Sequence, residues 1–309
     1  MIKHLQCGLW GRNANGHFAA ASCSSLKWRA RSIALRICWL FALALFLLVL
    51  TAAISPSRAQ ELMQRPKDTE AIIARGTIRV AITKFDLPAF HWHTSNGVLR
   101  GPEIELVRRI GRLLKVGVEF IDDCPTFDSV IDAVDSGRAD IGVSKLSQSP
   151  SRILHVRFSE PYLVLRQAFL FNRATIGTQA GGRPPEDVLR TFNGAIGVIA
   201  KSAYVGFAER NFPDAQIVEM QTWEDSIEAL VNNRVDVLYR DEFEIRRVLK
   251  SNPALNVRFG SVAFTDDKSY LSFAICASCV RLQQFINYQI ADNRVPFTLS
   301  GLLASQAAN

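Results

Sequence analysis

Phe127-Asp-Ser-Val-Ile-Asp-Ala-Val-Asp-Ser-Gly-Arg-Ala-Asp-Ile-Gly-Val-Ser144 aligns without gaps on Trp223-Glu-Asp-Ser-Ile-Glu-Ala-Leu-Val-Asn-Asn-Arg-Val-Asp-Val-Leu-Tyr-Arg240. In each copy an aromatic residue opens a segment whose apolar side chains recur at helical spacing: Phe127, Val130, Ile131 and Val134 in one, Trp223, Ile227 and Leu230 in the other. A Ser-Gly or an Asn-Asn pair, suited to a left-handed cap, stops each helix. An Arg-x-Asp tripeptide then leads into a short apolar strand. The chain builds one supersecondary unit twice.

A second echo lies upstream of each copy. Gly76-Thr-Ile-Arg-Val-Ala-Ile-Thr83 resembles Gly194-Ala-Ile-Gly-Val-Ile-Ala-Lys201, a buried strand introduced by glycine. Between these landmarks the first half offers an amphipathic helix (Ile104, Val107, Ile110, Leu114) and a strand at Val118–Ile121. The second half offers a helix near Ala203–Asn211 and a strand near Gln216–Glu219. Both halves read strand–helix–strand–helix–strand, which predicts an α/β fold of two similar lobes, each an open parallel sheet covered by helices. Right-handed crossovers are expected in both.

Ligands of open α/β sheets bind beyond the carboxyl ends of the strands. Those ends are Thr83–Lys84, Ser144–Lys145, Lys201–Ser202 and Arg240–Asp241. The repeat sets Lys145 and Asp241 at matching positions, so facing lobes would bring opposite charges across one cleft, a setting suited to a zwitterion. Ser149-Pro150 then predicts a helix start, with Ser149 as N-cap and Arg152 on the first turn. The guanidinium of Arg152 offers a planar fork matched to a carboxylate.

The 309 residues are 48% hydrophobic and 21% charged, with a formal net charge of +7. Residues 1–59 hold seven basic residues (Lys3, Arg12, Lys27, Arg29, Arg31, Arg36, Arg58) and no acidic one, which leaves 29 of each sign in 60–309. The body is therefore neutral, and binding of nucleic acid loses its electrostatic support. The leader ends in an apolar run over 37–50, followed by small residues Ser57 and Ala59, the pattern of a Sec-type signal peptide cleaved after Ala59. An uncleaved anchor is the other reading of the same run. Export to the periplasm is expected either way. Cys7, Cys23 and Cys38 belong to the leader. Cys124, Cys276 and Cys279 remain, and Cys276-Ala-Ser-Cys279 suits a local disulfide or two semi-buried thiols.

Several stretches, in order, resemble the bacterial periplasmic solute-binding proteins of the polar amino-acid type, family 3, which serve ABC importers. They are Gly97-Val-Leu-Arg-Gly-Pro-Glu-Ile-Glu-Leu106, Gly137 through Arg152, Phe158-Ser-Glu-Pro-Tyr162, and Arg234-Val-Asp-Val-Leu-Tyr-Arg-Asp241. The resemblance runs from about Gly76 to about Ile290. It implies a type II periplasmic-binding-protein fold, with two lobes joined by a two-strand hinge near Tyr162–Arg166 and Ala263–Asp267. It further implies 60–75 as lead-in, 76–164 and 264–309 as the first lobe and tail, and 165–263 as the second lobe. Carried over by position, Arg152 would hold a ligand α-carboxylate with Ser149 and Ser147, and Asp241 an α-ammonium. Ser202 would make a second-lobe contact, while Phe127 and Phe85 would line the pocket.

The sequence departs from that pattern at Lys145 and Lys201, where the family usually has small residues, and at Glu103 and Glu105, which replace aspartates. Two extra ammonium groups hint at a ligand with more than one carboxylate, such as an acidic amino acid or a dicarboxylate. The resulting expectation is a monomeric binding protein that captures a small charged solute, an amino acid foremost, and delivers it to a membrane permease, with no cofactor or metal. The alternatives are an exported enzyme on the same fold, resembling cyclohexadienyl dehydratase, and a ligand sensor for a membrane receptor. Against the enzyme stand the absence of a Gly-x-Ser-x-Gly elbow or phosphate loop and the lack of a third ligand beside His91 and His93. Glu103, Glu105 and Asp241 are the carboxylates such an enzyme would use.

Overall fold

The computed structural model describes residues 68–292 and 297–305; the leader and its cleavage lie outside these. These described residues make one compact unit. Its elements begin with α1 (Asp68–Arg75), β1 (Thr77–Thr83), β2 (Trp92–His93), β3 (Leu99–Arg100), α2 (Pro102–Leu114), β4 (Gly117–Cys124), α3 (Phe127–Asp135), β5 (Ile141–Gly142), α4 (Pro150–Ile153) and β6 (Arg157–Phe158). There follow β7 (Leu163–Asn172), α5 (Arg173–Ala180), α6 (Pro185–Arg190), β8 (Ala195–Ile199), α7 (Ala203–Asn211), β9 (Gln216–Met220), α8 (Trp223–Val231), β10 (Val237–Asp241) and α9 (Glu242–Ser251). The chain closes with α10 (Leu255–Arg258), β11 (Phe259–Leu271), β12 (Ala274–Ile275), α11 (Val280–Ala291) and α12 (Leu299–Ser305).

These strands form two open five-stranded sheets, ordered β4-β1-β5-β12-β6 and β11-β7-β10-β8-β9. In the first, β1 is parallel to both β4 and β5, and β12 runs antiparallel to β5. In the second, β8 is parallel to both β9 and β10, and β7 runs antiparallel to β10. The repeat seen in the sequence is thus a repeat of topology. Each lobe winds three parallel strands with the first at the centre and receives its antiparallel fourth strand from a chain crossing.

Local chemistry explains why the copies fold alike. Thr126 and Thr222 are both N-caps whose side chains accept from the third backbone N–H of the helix, completed as capping boxes by Ser129 and Asp225. The left-handed residues that stop the helices are Gly137 (φ 74°) and Asn233 (φ 54°). Val80, Ile82, Ile104, Ile110, Val130 and Ile141 are buried in the first lobe's core. The second sheet is covered on both faces, by Phe169, Val198, Phe207 and Tyr239 on one and by Leu170, Leu238, Leu230 and Ile245 on the other.

Two connections join the lobes. β7 leaves the first lobe just after Tyr162, whose N–H donates to the Leu271 carbonyl (2.9 Å), and β11 returns beside it. Their pairing runs from Phe259↔Asn172 to Leu271↔Leu163, with an irregularity between Ala263 and Lys268. Cys276 and Cys279 are bonded to each other in the turn before α11, and Cys124 is buried at the end of β4.

Gly101 starts α2 at φ 128°, and a Cβ there would lie 2.2 Å from the Phe90 carbonyl oxygen. Neither the conformation nor the space admits a side chain. Gly101→Ala is expected to lower unfolding free energy by at least about 2 kcal/mol, read as a lower urea midpoint at unchanged slope.

Candidate functional site

The carboxyl ends of the parallel strands from both lobes converge on one cavity. It is lined by Phe127, Lys145, Ser147 and Arg152 from the first lobe and by Ser202, Ala203, Tyr204, Arg240 and Asp241 from the second. The cavity measures about 10 Å³, room for roughly one water. A solute can therefore enter only when the surrounding side chains or the lobes themselves move apart.

Lys145 and Asp241 meet, as the repeat alignment implies, but directly. The Lys145 ammonium donates to both Asp241 carboxylate oxygens (3.0 and 2.8 Å) and to Glu244 Oε1 (2.8 Å), all three side chains being almost fully buried. It also lies over the rings of Phe90 (5.2 Å) and Phe243 (5.0 Å). This corrects the expectation of opposed charges left free for a zwitterion: the side chain at 145 is long enough to span the gap. Burial alone would raise the Glu244 carboxyl, but Lys145, Arg247 and Arg240 hold it down, at about 2 against an ordinary 4.5.

The backbone under Lys145 is unusual as well. Its φ is 52°, the left-handed region that favours glycine. Its N–H donates to Glu103 Oε1 (2.8 Å), and the same carboxylate accepts from the Tyr162 hydroxyl and contacts His91 Nδ1 (3.1 Å). His91 in turn reaches Thr83 Oγ1 through Nε2 (3.2 Å). Burial and the neighbouring Glu103 push the Tyr162 phenol well above its usual range, so it remains a donor. Glu103 is therefore a buried strut for the 145 turn, whereas Glu105 is on the surface beside Arg108 (2.8 Å).

Arg152 is carried on α4 by the Ser149 cap and Pro150 at the first helical position. Its guanidinium bonds Asp128 Oδ1 through Nε (3.0 Å) and Nη2 (2.8 Å), and the Ser147 carbonyl through Nη1 (3.0 Å). Burial pulls its pKa down from the usual arginine value, and Asp128 opposes that pull. Ser147 Oγ pairs with Ser269 Oγ (2.7 Å), and Ser202 caps α7 while donating to the Ile199 carbonyl (2.6 Å).

Two expected lining residues are not on the cavity wall. Ser149 is buried as a cap, spent on the Arg152 N–H (3.4 Å) and Ser151 Oγ (3.0 Å). Phe85 stands behind Phe127, edge-on at 5.6 Å and partly exposed. Of the two departing lysines, Lys145 faces the cavity and Lys201, at φ 51°, is exposed. His155, which the sequence leaves without a partner, bonds Asp135 (3.0 Å) on the surface.

Arg240 is the main residue that sequence reasoning did not select. It is buried at the end of β10, boxed by Phe127 (5.3 Å), Tyr204 (5.6 Å) and Trp223 (5.8 Å). Its Nε has no hydrogen bond among the described residues and lies 3.7 Å from Asp241. The repeat held the signal, because Phe127 and Trp223 are the equivalent helix-opening aromatics and their helices meet at the cleft.

Residues 78–203 match the profile of the bacterial extracellular solute-binding proteins, family 3. The chain is 26% identical over 220 residues to the Bacillus subtilis protein named "Probable ABC transporter extracellular-binding protein YckB", covering 69% of this chain and 71% of that one. It is 22% identical over 170 residues to the "ABC transporter arginine-binding protein 1" of Escherichia coli, covering 55% and 65% of the two chains. Among solved structures it is similar to the ancestral amino acid-binding protein AncCDT-1, described as a precursor of cyclohexadienyl dehydratase. The TM-score is 0.61 at 23% identity, over 78% of this chain and 99% of that one.

The depressed Glu244 carboxyl has a consequence for acid stability. Below about pH 4.5 the unfolded chain takes up a proton that the folded chain refuses until about pH 2, so stability is full above that window and falls as pH drops through it. Glu244→Gln is expected to flatten the fall in Tm across this window, measured by circular dichroism. An unchanged slope would show that Glu244 contributes none of it.

Proposed function

We propose, from the match of residues 78–203 to the bacterial extracellular solute-binding proteins of family 3 and the likeness to the Bacillus subtilis binding protein, that the chain captures a small charged solute, an amino acid or related carboxylate, between its lobes. It then hands that solute to the permease of an ABC importer. The observation that carries this reading is the convergence of Lys145, Ser147 and Arg152 from one lobe with Ser202, Arg240 and Asp241 from the other on a single small cavity. Such a space encloses a solute only if the lobes open and shut, and the paired β7 and β11 are the segments about which they would turn.

On this reading the basic leader directs export to the periplasm, the protein works as a monomer, and the closed form is what the permease recognises. Arg152 takes the solute's carboxylate in exchange for Asp128, whose side chain is 44% exposed and can turn to water. Ser147 and Ser202 contribute polar contacts, and Phe127 one apolar wall. Binding proceeds without turnover. Glu103 and Asp241 each hold several hydrogen bonds, so neither carboxylate stands ready to exchange a proton with a bound solute.

A thermal-shift screen of unfolded and refolded mature chain against amino acids and organic acids tests the proposal. A bound ligand at about 100 times its Kd adds about 2.7 kcal/mol of stability. Arg152→Ala is expected to weaken the best ligand by about a hundredfold while the chain still folds. Full affinity in that variant would overturn the assigned site.

A further inference from the structure

We propose that the cleft selects a carboxylate without an α-ammonium, because Lys145 already supplies that ammonium from within the protein. The inference rests on the solute-binding reading and narrows its ligand class.

The acidic pair is filled. All three donors of the Lys145 ammonium are spent on Asp241 and Glu244, and each of the four carboxylate oxygens already accepts at least one hydrogen bond. Asp241 Oδ1 accepts from the Glu244 N–H (3.1 Å), and Glu244 Oε2 accepts from Arg247 Nε (2.8 Å). A second ammonium brought here would meet occupied oxygens and a like charge. Lys145 is also built in. Glu103 holds its backbone in a conformation costly to any residue with a side chain, and two aromatic rings flank its head.

What stands open to a ligand is donors. Arg240 Nε, on the cavity wall, is buried without a hydrogen bond among the described residues, the Tyr204 hydroxyl beside it has only Ser269 within reach, and Trp223 Nε1, off the wall but against the Arg240 box, is also unbonded. Burial and Asp241 push the Tyr204 phenol well above its usual range, which keeps its proton in place. Arg152 has a half-exposed carboxylate as its ion-pair partner, beside its bond to the Ser147 carbonyl. Around the cleft Lys145, Arg152, Arg240 and Arg247 are interleaved with Asp128, Asp241 and Glu244, and Glu103 is spent on the Lys145 backbone. A carboxylate accepts from the open donors, whereas the ammonium of a zwitterion finds every oxygen of the Asp241–Glu244 pair already bonded.

Calorimetric titration of refolded mature chain with matched pairs tests this. The pairs are L-alanine and L-lactate, L-glutamate and 2-hydroxyglutarate, and L-phenylalanine and phenyllactate, whose members differ in the α-substituent. The hydroxy acid of at least one pair is expected to bind at least about tenfold tighter than its amino partner. Lys145→Gly, whose glycine adopts the same backbone freely, is expected to reverse that preference, and Lys145→Met to abolish it. A weaker preference, a preference for the amino acid, or a preference that neither variant alters would overturn the inference. Tight binding of amino acids alone would do so while leaving the solute-binding reading intact. No binding of any acid to wild type or variants would overturn both.

Discussion

A single ammonium, that of Lys145, ties the two lobes together at the point where their sheets face each other. Removing three charged side chains from water is costly, and the arrangement holds because the ammonium's donors and the facing carboxylates are matched at 2.8–3.0 Å. Lys145 belongs to the turn after β5, while Asp241 and Glu244 lie at the β10–α9 junction. The contact between the lobes and the burial of these charges are therefore one feature. Parting them exposes both signs to water, which solvates them well, so the cluster resists opening less than an apolar seam of equal area would.

The turn that presents Lys145 depends on a second buried polar chain, from Thr83 through His91 to Glu103 and Tyr162. This chain starts on β1, reaches the N-terminal turn of α2 and ends at the connection into β7. It links the first lobe's central strand, the cleft and the start of β7 through a continuous run of hydrogen-bonded groups. Buried networks of this kind are stabilising when complete and costly when broken. The acidic residue in the Gly101-Pro-Glu103 stretch thus serves the site indirectly, by holding backbone.

Pseudo-symmetry explains the rest of the cleft. The repeated helices begin with Phe127 and Trp223, each just after a threonine cap, and the facing of the lobes brings both rings against Arg240. An aromatic box offers a guanidinium favourable contact with the ring faces while leaving its N–H groups for other partners. Helical periodicity made both rings visible in the sequence as core residues of a repeated helix. Their shared target was invisible, because it depends on how the two lobes face each other. Arg240 itself was legible as a strand end, with nothing in its neighbourhood to distinguish it from a solvated rim charge.

The amino-acid sequence by itself determined the two similar lobes, their alternation of strand and helix, and the helices that cover the sheets. These follow from short-range rules: apolar spacing, threonine caps and left-handed stops that each act within a few residues. It also placed Lys145, Arg152 and Asp241 at the strand and helix ends that border the cleft. Only the tertiary structure decided who pairs with whom. Lys145 fills the acids that a solute's ammonium would have sought, Arg152 rests on Asp128, and Ser149 and Phe85 fall behind the wall. Those outcomes turn on side-chain reach across a gap a few ångströms wide, a distance that no local pattern encodes.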